Sequence, residues 1–353
     1  MLRKRLQRIT FTDIVVWAIG VIIAVFVIYG SYVTLQAAKY TGANWIDLTI
    51  RGLAQGGVYA LIALGYTLVY GVLRMINFAH SEVFMSGPFT AVFLADYLNN
   101  KGMLASNPLL SLILITLLSM AVSTTIAILL ERIAYRPLRA APRLVPLITA
   151  IGASFFLQYT FRGFYGSGIK AYPDIPALAG SITIGTVEIL KTQFVVILGA
   201  LLMMLVLYGI VQFTKTGKAM RTVSEDKEAA ALMGIDVDRM IVITFTLGGA
   251  SAGFAGILYV LIFPVVNFYM GFIPGLKAFT AAVLGGIGNV PGAFLGGMLL
   301  GLIESIGPNL FLDGLGIPAP YQMKDAIAFA ILVLILIFRP TGLLGERVTK
   351  AKA

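Results

Sequence analysis

"GLKAFTAAVLGGIGNVPGAFLGGMLLGLIESI", residues 275–306, is the stretch on which the fold turns. Two apolar pieces, 275–284 and 292–306, flank Gly285-Gly286-Ile287-Gly288-Asn289-Val290-Pro291. A Gly-Gly, a Gly-Asn and a proline within so few residues break a helix, because proline removes an amide donor and glycine makes turn geometry cheap. Each piece alone falls short of the ~20 residues a helix needs to cross about 30 Å of hydrocarbon. What the stretch becomes depends on which side of a membrane its ends occupy.

The rest of the chain supplies that membrane. Of its 353 residues, 59% are hydrophobic and 12% charged, and the mean hydropathy is +0.92. A soluble domain of this length has too little interior to hide that much apolar side chain. The chain reads as one all-α, polytopic, membrane-embedded domain over 1–353, with full spans near 14–34, 50–72, 83–99, 108–130, 144–162, 193–213, 240–263 and 321–338. The first apolar run is too long for the core of a cleaved leader and lacks a small-residue cleavage site. Cysteine is absent, which removes disulfides, thiolate metal sites and cysteine nucleophiles from consideration.

Basic residues set the orientation. Arg3, Lys4, Arg5 and Arg8 precede the first span. Arg74 follows the second, and Arg132, Arg136, Arg139 and Arg143 follow the fourth. Lys215, Lys218, Arg221, Lys227 and Arg239 lie between the sixth and seventh, and Arg339, Arg347, Lys350 and Lys352 end the chain. Together these are 18 of the 26 basic residues, all on one side. Both termini and the 214–239 loop are therefore expected to be cytoplasmic, and the net charge of +10 is topological, not a nucleic-acid footprint. The stretch 275–306 must then begin and end outside, as a re-entrant hairpin or as two short spans meeting at 285–291. Non-helical backbone at depth is tolerated only inside protein or along a watery cavity, so Gly285, Gly286, Asn289 and Pro291 are candidates for the wall of a path.

A second irregular stretch, "RMINFAHSE" (74–82), holds the single histidine of the chain. Asn77, His80, Ser81 and Glu82 are the matching candidates, since polar groups at depth face a bundle interior or a cavity. The plainer reading is that they cap broken helix ends. One histidine without a dense carboxylate set makes no metal site. The two irregular stretches are expected to correspond to each other in an old duplication. Glycine pairs at four-residue spacing (Gly52/Gly56, Gly249/Gly253, Gly292/Gly296, Gly297/Gly301) allow close helix contact in lipid, read first as packing within the chain. Lys277 reads as a snorkelling residue near the outer boundary, and Asn289 as a turn residue.

Between the sixth and seventh spans lies a charged island, "SEDKEAAALMG" (224–234). Thr222 with Glu225 has capping-box spacing and Ser224 is a rival N-cap. The alanines favour helix, and Gly234 suits a left-handed C-cap. Such a short helix needs something to dock on.

The spacing Glu228-Ala229-Ala230…Gly234 resembles the cytoplasmic loop of ABC-importer permeases, although the downstream Ile-x-Leu-Pro is missing. Longer blocks extend the likeness: "GGVYALIALGYTLVYGVLRMINFAHSE" (56–82), "YRPLRAAPRLVPLITAIGASFFLQ" (135–158), 217–258, 275–305 and "RPTGLLGE" (339–346). In this order they are similar to the branched-chain amino acid ABC-transporter permeases of the LivH type, over most of 50–346. The first span and 163–192 carry little of it. His80-Ser81-Glu82 stands where that family usually has His-Gly-Glu.

The resemblance implies a bacterial inner-membrane (plasma-membrane) importer. A second permease subunit, two cytoplasmic ATPase subunits and an external substrate-binding protein would complete it. Residues 222–234 would act as the coupling helix, with Glu228, Ala229, Ala230 and Gly234 at the ATPase. No G-x-x-x-x-G-K-[ST] occurs, "TKTGKAM" lacking both ends, so ATP would be used by partners and no cofactor or catalysis is expected here. The competing readings are a stand-alone secondary carrier or channel, or the same importer class carrying urea or short amides.

Overall fold

A computed structural model describes residues 11–139, 141–142, 144–185, 187–339 and 341–345. The basic residues Arg3, Lys4, Arg5, Arg8, Arg143, Arg347, Lys350 and Lys352 lie outside the described residues.

The helices are α1 (Phe11–Gln36), α2 (Gly42–Leu73), α3 (His80–Asn100), α4 (Met103–Ser106), α5 (Pro108–Leu130), α6 (Leu144–Tyr165) and α7 (Lys191–Phe213). They are followed by α8 (Lys215–Glu225), α9 (Lys227–Leu232), α10 (Val237–Ile262), α11 (Phe272–Gly285), α12 (Val290–Gly307) and α13 (Lys324–Phe338). Among the described residues, sheet is confined to β1 (Lys170–Ala171) paired with β4 (Val265–Val266), and the hairpin of β2 (Ser181–Ile184) with β3 (Val187–Leu190).

Among the described residues, eight helical segments are long and apolar enough to cross a membrane: 14–36, 42–73, 108–138, 144–165, 191–213, 237–262, 290–312 and 320–338. The number matches the sequence reading but the membership does not. α3, expected as a full span, is absent from this set, and its place is taken by α12 with its continuing turn.

α2 is the axis of the molecule, with 89% of its apolar window buried. α12 packs along it in the opposite direction through the glycine pairs: Gly52 lies against Gly301, and Gly56 against Gly297. On the far side Gly249 and Gly253 bring α10 onto Thr124 and Ser119 of α5. Gly292 and Gly296 seat α12 on Gly285 and Ala281 of α11. Every glycine pair singled out in the sequence is thus spent within the chain, where dispersion between close backbones replaces the missing hydrophobic drive of lipid. α1 is peripheral, its apolar window 6% buried. It leans on the end of α12 through Gly30 against Phe311, and Lys39 pairs with Asp313 at 2.8 Å.

The broken stretch is a hairpin. α11 and α12 meet at 286–289, with Gly286 and Gly288 at φ +105° and +99°. Asn289 is the N-cap of α12, its Oδ1 accepting from the Gly292 amide at 2.9 Å. The tip sits beside Gly71, near the end of α2 that leads into Arg74, and is strapped by Leu343 and Leu344, whose amides donate to Leu284 and Gly285 at 2.8 and 2.9 Å. This end of the molecule, shared with Arg136, Arg139 and α8, is called the basic face below.

Candidate functional site

α2 ends at the basic face in a left-handed Arg74 (φ +57°). The chain then turns back into the bundle over 74–79 before α3 begins at His80. The His80 ring lies against Gly65, where a Cβ would overlap it, and beside Tyr66 at 5.0 Å between ring centroids. Gly65 is eight residues short of the end of α2, about 12 Å at 1.5 Å per residue. α3 therefore starts near mid-depth, and Asn77, His80 and Glu82 lie well inside the end of α2.

The polar side chains of this turn are buried and bonded. Asn77, His80, Ser81 and Glu82 are exposed by 5% or less. Tyr135 donates its hydroxyl to Asn77 Oδ1 at 2.8 Å. Gln158 and Ser154 of α6 donate to Glu82 Oε1 at 2.7 and 3.1 Å. Ser81 Oγ donates to the Phe78 carbonyl at 2.9 Å. Asn77 Nδ2, His80 Nε2 and Glu82 Oε2 are left without partners. An unpaired buried polar atom is costly in a low-dielectric medium, so this cluster is both anchored and incomplete.

The structure gives 74–79 a counterpart, and it is not the tip 285–291 that the sequence suggested. After α10 reaches the opposite face, residues 263–271 turn back inward and α11 starts at Phe272. The two breaks share a local turn. His80 N donates to the Asn77 carbonyl at 3.1 Å, and Met270 N to the Asn267 carbonyl at 3.3 Å, with Phe78 and Phe268 as the following residues. The units that carry them run oppositely: Gly65 packs beside Gly248, and Ser251 Oγ reaches the Leu61 carbonyl at 3.5 Å. Both half-helices meet where Ser81 rests on Gly271 and Gly275, each too close to accept a Cβ without displacement. The tip residues Gly285, Gly286, Asn289 and Pro291 lie apart from this meeting, at the basic face. The tip passes for the break in sequence because it concentrates glycine. The true second break, "FPVVNFYMG" (263–271), is mostly apolar, and only its Asn-Phe pair echoes the first.

Lys277 and Glu304 also depart from expectation. Their side chains are 3% and 1% exposed and form an ion pair between α11 and α12, with Asp325 of α13 2.5 Å from Lys277 Nζ. Lys277 does not snorkel. Its apolar stem and its charge both stay inside, because two carboxylates meet it there.

On the basic face the charged island is two helices. Thr222 and Ser224 lie inside α8, where their hydroxyls donate to the Lys218 and Arg221 carbonyls at 3.0 and 2.7 Å. Neither is the N-cap. Asp226 is, its carboxylate accepting from the Glu228 and Ala229 amides at 2.9 and 3.0 Å. α8 runs past the predicted caps because Met220 and Val223 bury one face of it against the bundle. Gly234 closes α9 at φ +81°, as its position required. Ala230 is fully buried, whereas Glu228 and Ala229 are exposed, and Leu232 and Met233 are 89% and 80% exposed.

Arg74 ties this island to the first break, donating Nη2 to the Ser224 carbonyl at 3.2 Å. Val72 and Arg74 face residues 223–228 across a cleft of about 330 Å³. Burial first, then the guanidiniums of Arg139 and Arg74, hold the Lys227 ammonium below its usual pKa. Arg136 and Arg139, read as topology markers, pair with Asp238, and Arg139 also with Glu131, joining the end of α5 to the start of α10. Among the described residues no group of three His, Asp or Glu could hold a metal ion.

Comparison with known proteins bears on the same span. The profile of the family described as "Branched-chain amino acid transport system / permease component" matches residues 48–336. The permease protein BraD of a high-affinity branched-chain amino acid transport system in Pseudomonas aeruginosa is 42% identical over 308 residues, covering 86% of this chain and 96% of that one. The LivH permease proteins of Salmonella typhimurium and Escherichia coli K12 are 40% and 39% identical, each again over 86% of this chain and 96% of theirs. The match takes in both breaks, their meeting point and the α8–α9 island, and with its membrane-crossing helices this multi-pass inner-membrane protein belongs to the branched-chain amino acid transport system permease family.

Proposed function

We propose that this chain is the membrane-spanning permease subunit of an importer for branched-chain amino acids, with its basic face in the cytoplasm. The observation that carries the reading is the meeting, at mid-depth, of two half-helices entering from opposite faces. Broken helices at corresponding positions of inverted halves are where transporters place the substrate path, and irregular backbone survives at depth only inside protein or beside a cavity. Asn77, His80, Ser81 and Glu82 then form the closed middle of the path. Gly285, Gly286, Asn289 and Pro291 form its cytoplasmic rim.

Work is supplied from outside the chain. Leu232 and Met233 present apolar side chains to solvent at the end of α9, a surface that suits a protein partner. Glu228 and Ala229 lie on the same short helix, and Gly234 closes it. Two ATPase subunits seated there would pull on α8 and, through the Arg74–Ser224 bond, on the segment that leads to mid-depth. A second permease subunit and an external binding protein complete the assembly. In this reading the chain needs no cofactor and performs no catalysis.

The test is co-expression with candidate ATPase and binding-protein partners. The purified complex should hydrolyse ATP faster when L-leucine and the binding protein are present, and Glu228→Lys or Leu232→Asp should abolish that stimulation without preventing membrane insertion. An Asp226→Cys variant of this cysteine-free chain should react with an impermeant maleimide only after the membrane is opened. Leucine uptake by vesicles holding this chain without any ATPase would make it a stand-alone carrier instead.

A further inference from the structure

We propose that Glu304 and Asp325, gathered around Lys277, form a station for the ammonium group of an aliphatic amino acid. The proposal rests on the importer reading and adds to it a site.

Charge is the first support. Lys277 Nζ sits on Glu304, 2.5 Å from Asp325 Oδ1 and 3.3 Å from the Tyr59 hydroxyl. Gln55 contributes only a neutral amide, donating to Tyr59 at 2.6 Å. One cation stands between two carboxylates, so a negative charge is left over, and Glu304 Oε2, on a residue 1% exposed, has no partner. Buried charge is tolerated where it is paired. This set is short of one cation.

Depth and access are the second. Tyr59 lies six residues before Gly65 on α2, about 9 Å further from the basic face than the His80 level. Lys277 and Glu304 are closed off there, but the Asp325 side chain is 45% exposed. The cluster therefore has one open side. A half-exposed carboxylate below the membrane surface belongs against water, a polar ligand or another chain, not against lipid tails.

The start of α11 contributes a surface and not an anion site. The Phe272 and Gly275 amides already donate to the Tyr269 and Gly271 carbonyls at 3.2 and 2.8 Å, and Pro274 has no amide to give. Phe272 and Ile273, in that turn, are 45% and 41% exposed and offer an apolar wall to an aliphatic side chain.

The test uses the intact complex with its ATPase and binding protein. Asp325→Asn should lower the initial rate of L-leucine uptake more than 10-fold at unchanged thermal stability, and Asp325→Glu should restore most of it. Isoamylamine, which has the ammonium and not the carboxylate, should raise the melting temperature of the purified complex, and the rise should be absent in Asp325→Asn. 4-Methylpentanoate, which has the reverse, should leave the melting temperature unchanged. Parental uptake by Asp325→Asn, or equal shifts from the two half-ligands, would overturn the site. So would an uptake loss matched by a fall in melting temperature of the variant, which would leave the cluster as a clamp on α13. If the unmodified complex imports no leucine, the importer reading fails, and the isoamylamine shift still decides whether the cluster binds an ammonium.

Discussion

The two re-entrant segments share a turn and differ in what holds it. Segment 74–79 with the start of α3 is fastened by side chains: Tyr135 on Asn77, Ser154 and Gln158 on Glu82, and Ser123 on the Val83 carbonyl at 2.7 Å. Segment 263–271 is held by backbone, through the short β1–β4 pairing and the Tyr172 amide on the Pro264 carbonyl at 2.9 Å, and by glycines pressed on Ser81. Val265 and Tyr269 are 44% and 51% exposed, while Asn77, His80, Ser81 and Glu82 are buried. Directional bonds in an apolar medium make a rigid seat. A glycine contact and a two-residue ladder can slide. The difference predicts that α3 is held more rigidly than the start of α11.

The largest expected effect comes from forcing the two half-helices apart. In Gly271→Val a side chain would overlap the Ser81 carbonyl, beyond the roughly 1–3 kcal/mol usual for overpacking. No monodisperse protein is expected on size exclusion. A folded, active Gly271→Val protein would mean that the two half-helices do not touch.

The second effect measures the fastening itself. Glu82→Ala leaves the Ser154 and Gln158 donors without an acceptor, at about 1–3 kcal/mol each. A thermal-unfolding cycle pairing Glu82→Ala with Gln158→Ala should show coupling of about 1.5–3 kcal/mol. Asn267→Ala in the other break should cost less than about 1 kcal/mol, since its side chain bonds only the Tyr269 amide. Equal losses in the two breaks would erase that contrast in rigidity.

A smaller effect on stability, with a distinct readout, lies at the basic face. Arg74→Ala removes the bond from the first break to the Ser224 carbonyl. ATP hydrolysis should persist while the leucine moved per ATP falls several-fold. An unchanged ratio would place the coupling elsewhere. Asp226→Ala should cost about 1 kcal/mol by uncapping α9, and weaken ATPase stimulation in step with lost helix.

The smallest effect concerns the residue that departs from the family pattern. Ser81→Gly loses the hydroxyl bond to Phe78, about 1 kcal/mol or less, and should leave leucine uptake within about twofold, since the turn is already formed by backbone. A larger loss would give the hydroxyl a part in the path.

Much of the site was legible, for local reasons. The helix break at 286–289, the left-handed Gly234 and the burial of Asn77–Glu82 follow from glycine φ, proline chemistry and the cost of polar groups in hydrocarbon. What failed were choices between locally equivalent options. Thr222, Ser224 and Asp226 all satisfy capping rules, and only the burial of Met220 and Val223 on the bundle carries α8 through to Glu225. Lys277 reads the same whether it snorkels or pairs, and Glu304 and Asp325 that settle it are 27 and 48 positions away.

By itself the sequence determined that this is a helical membrane protein with two breaks worth explaining, because chain length, apolar content and helix-breaking residues act residue by residue. Only the tertiary structure decided which breaks correspond, that they meet at Ser81 and Gly271, and that three charges from three helices share one cluster, two of them buried. Those are relations between distant segments, set by close backbone packing and by the need of each buried charge for a partner, and no single stretch of sequence contains both sides of such a relation.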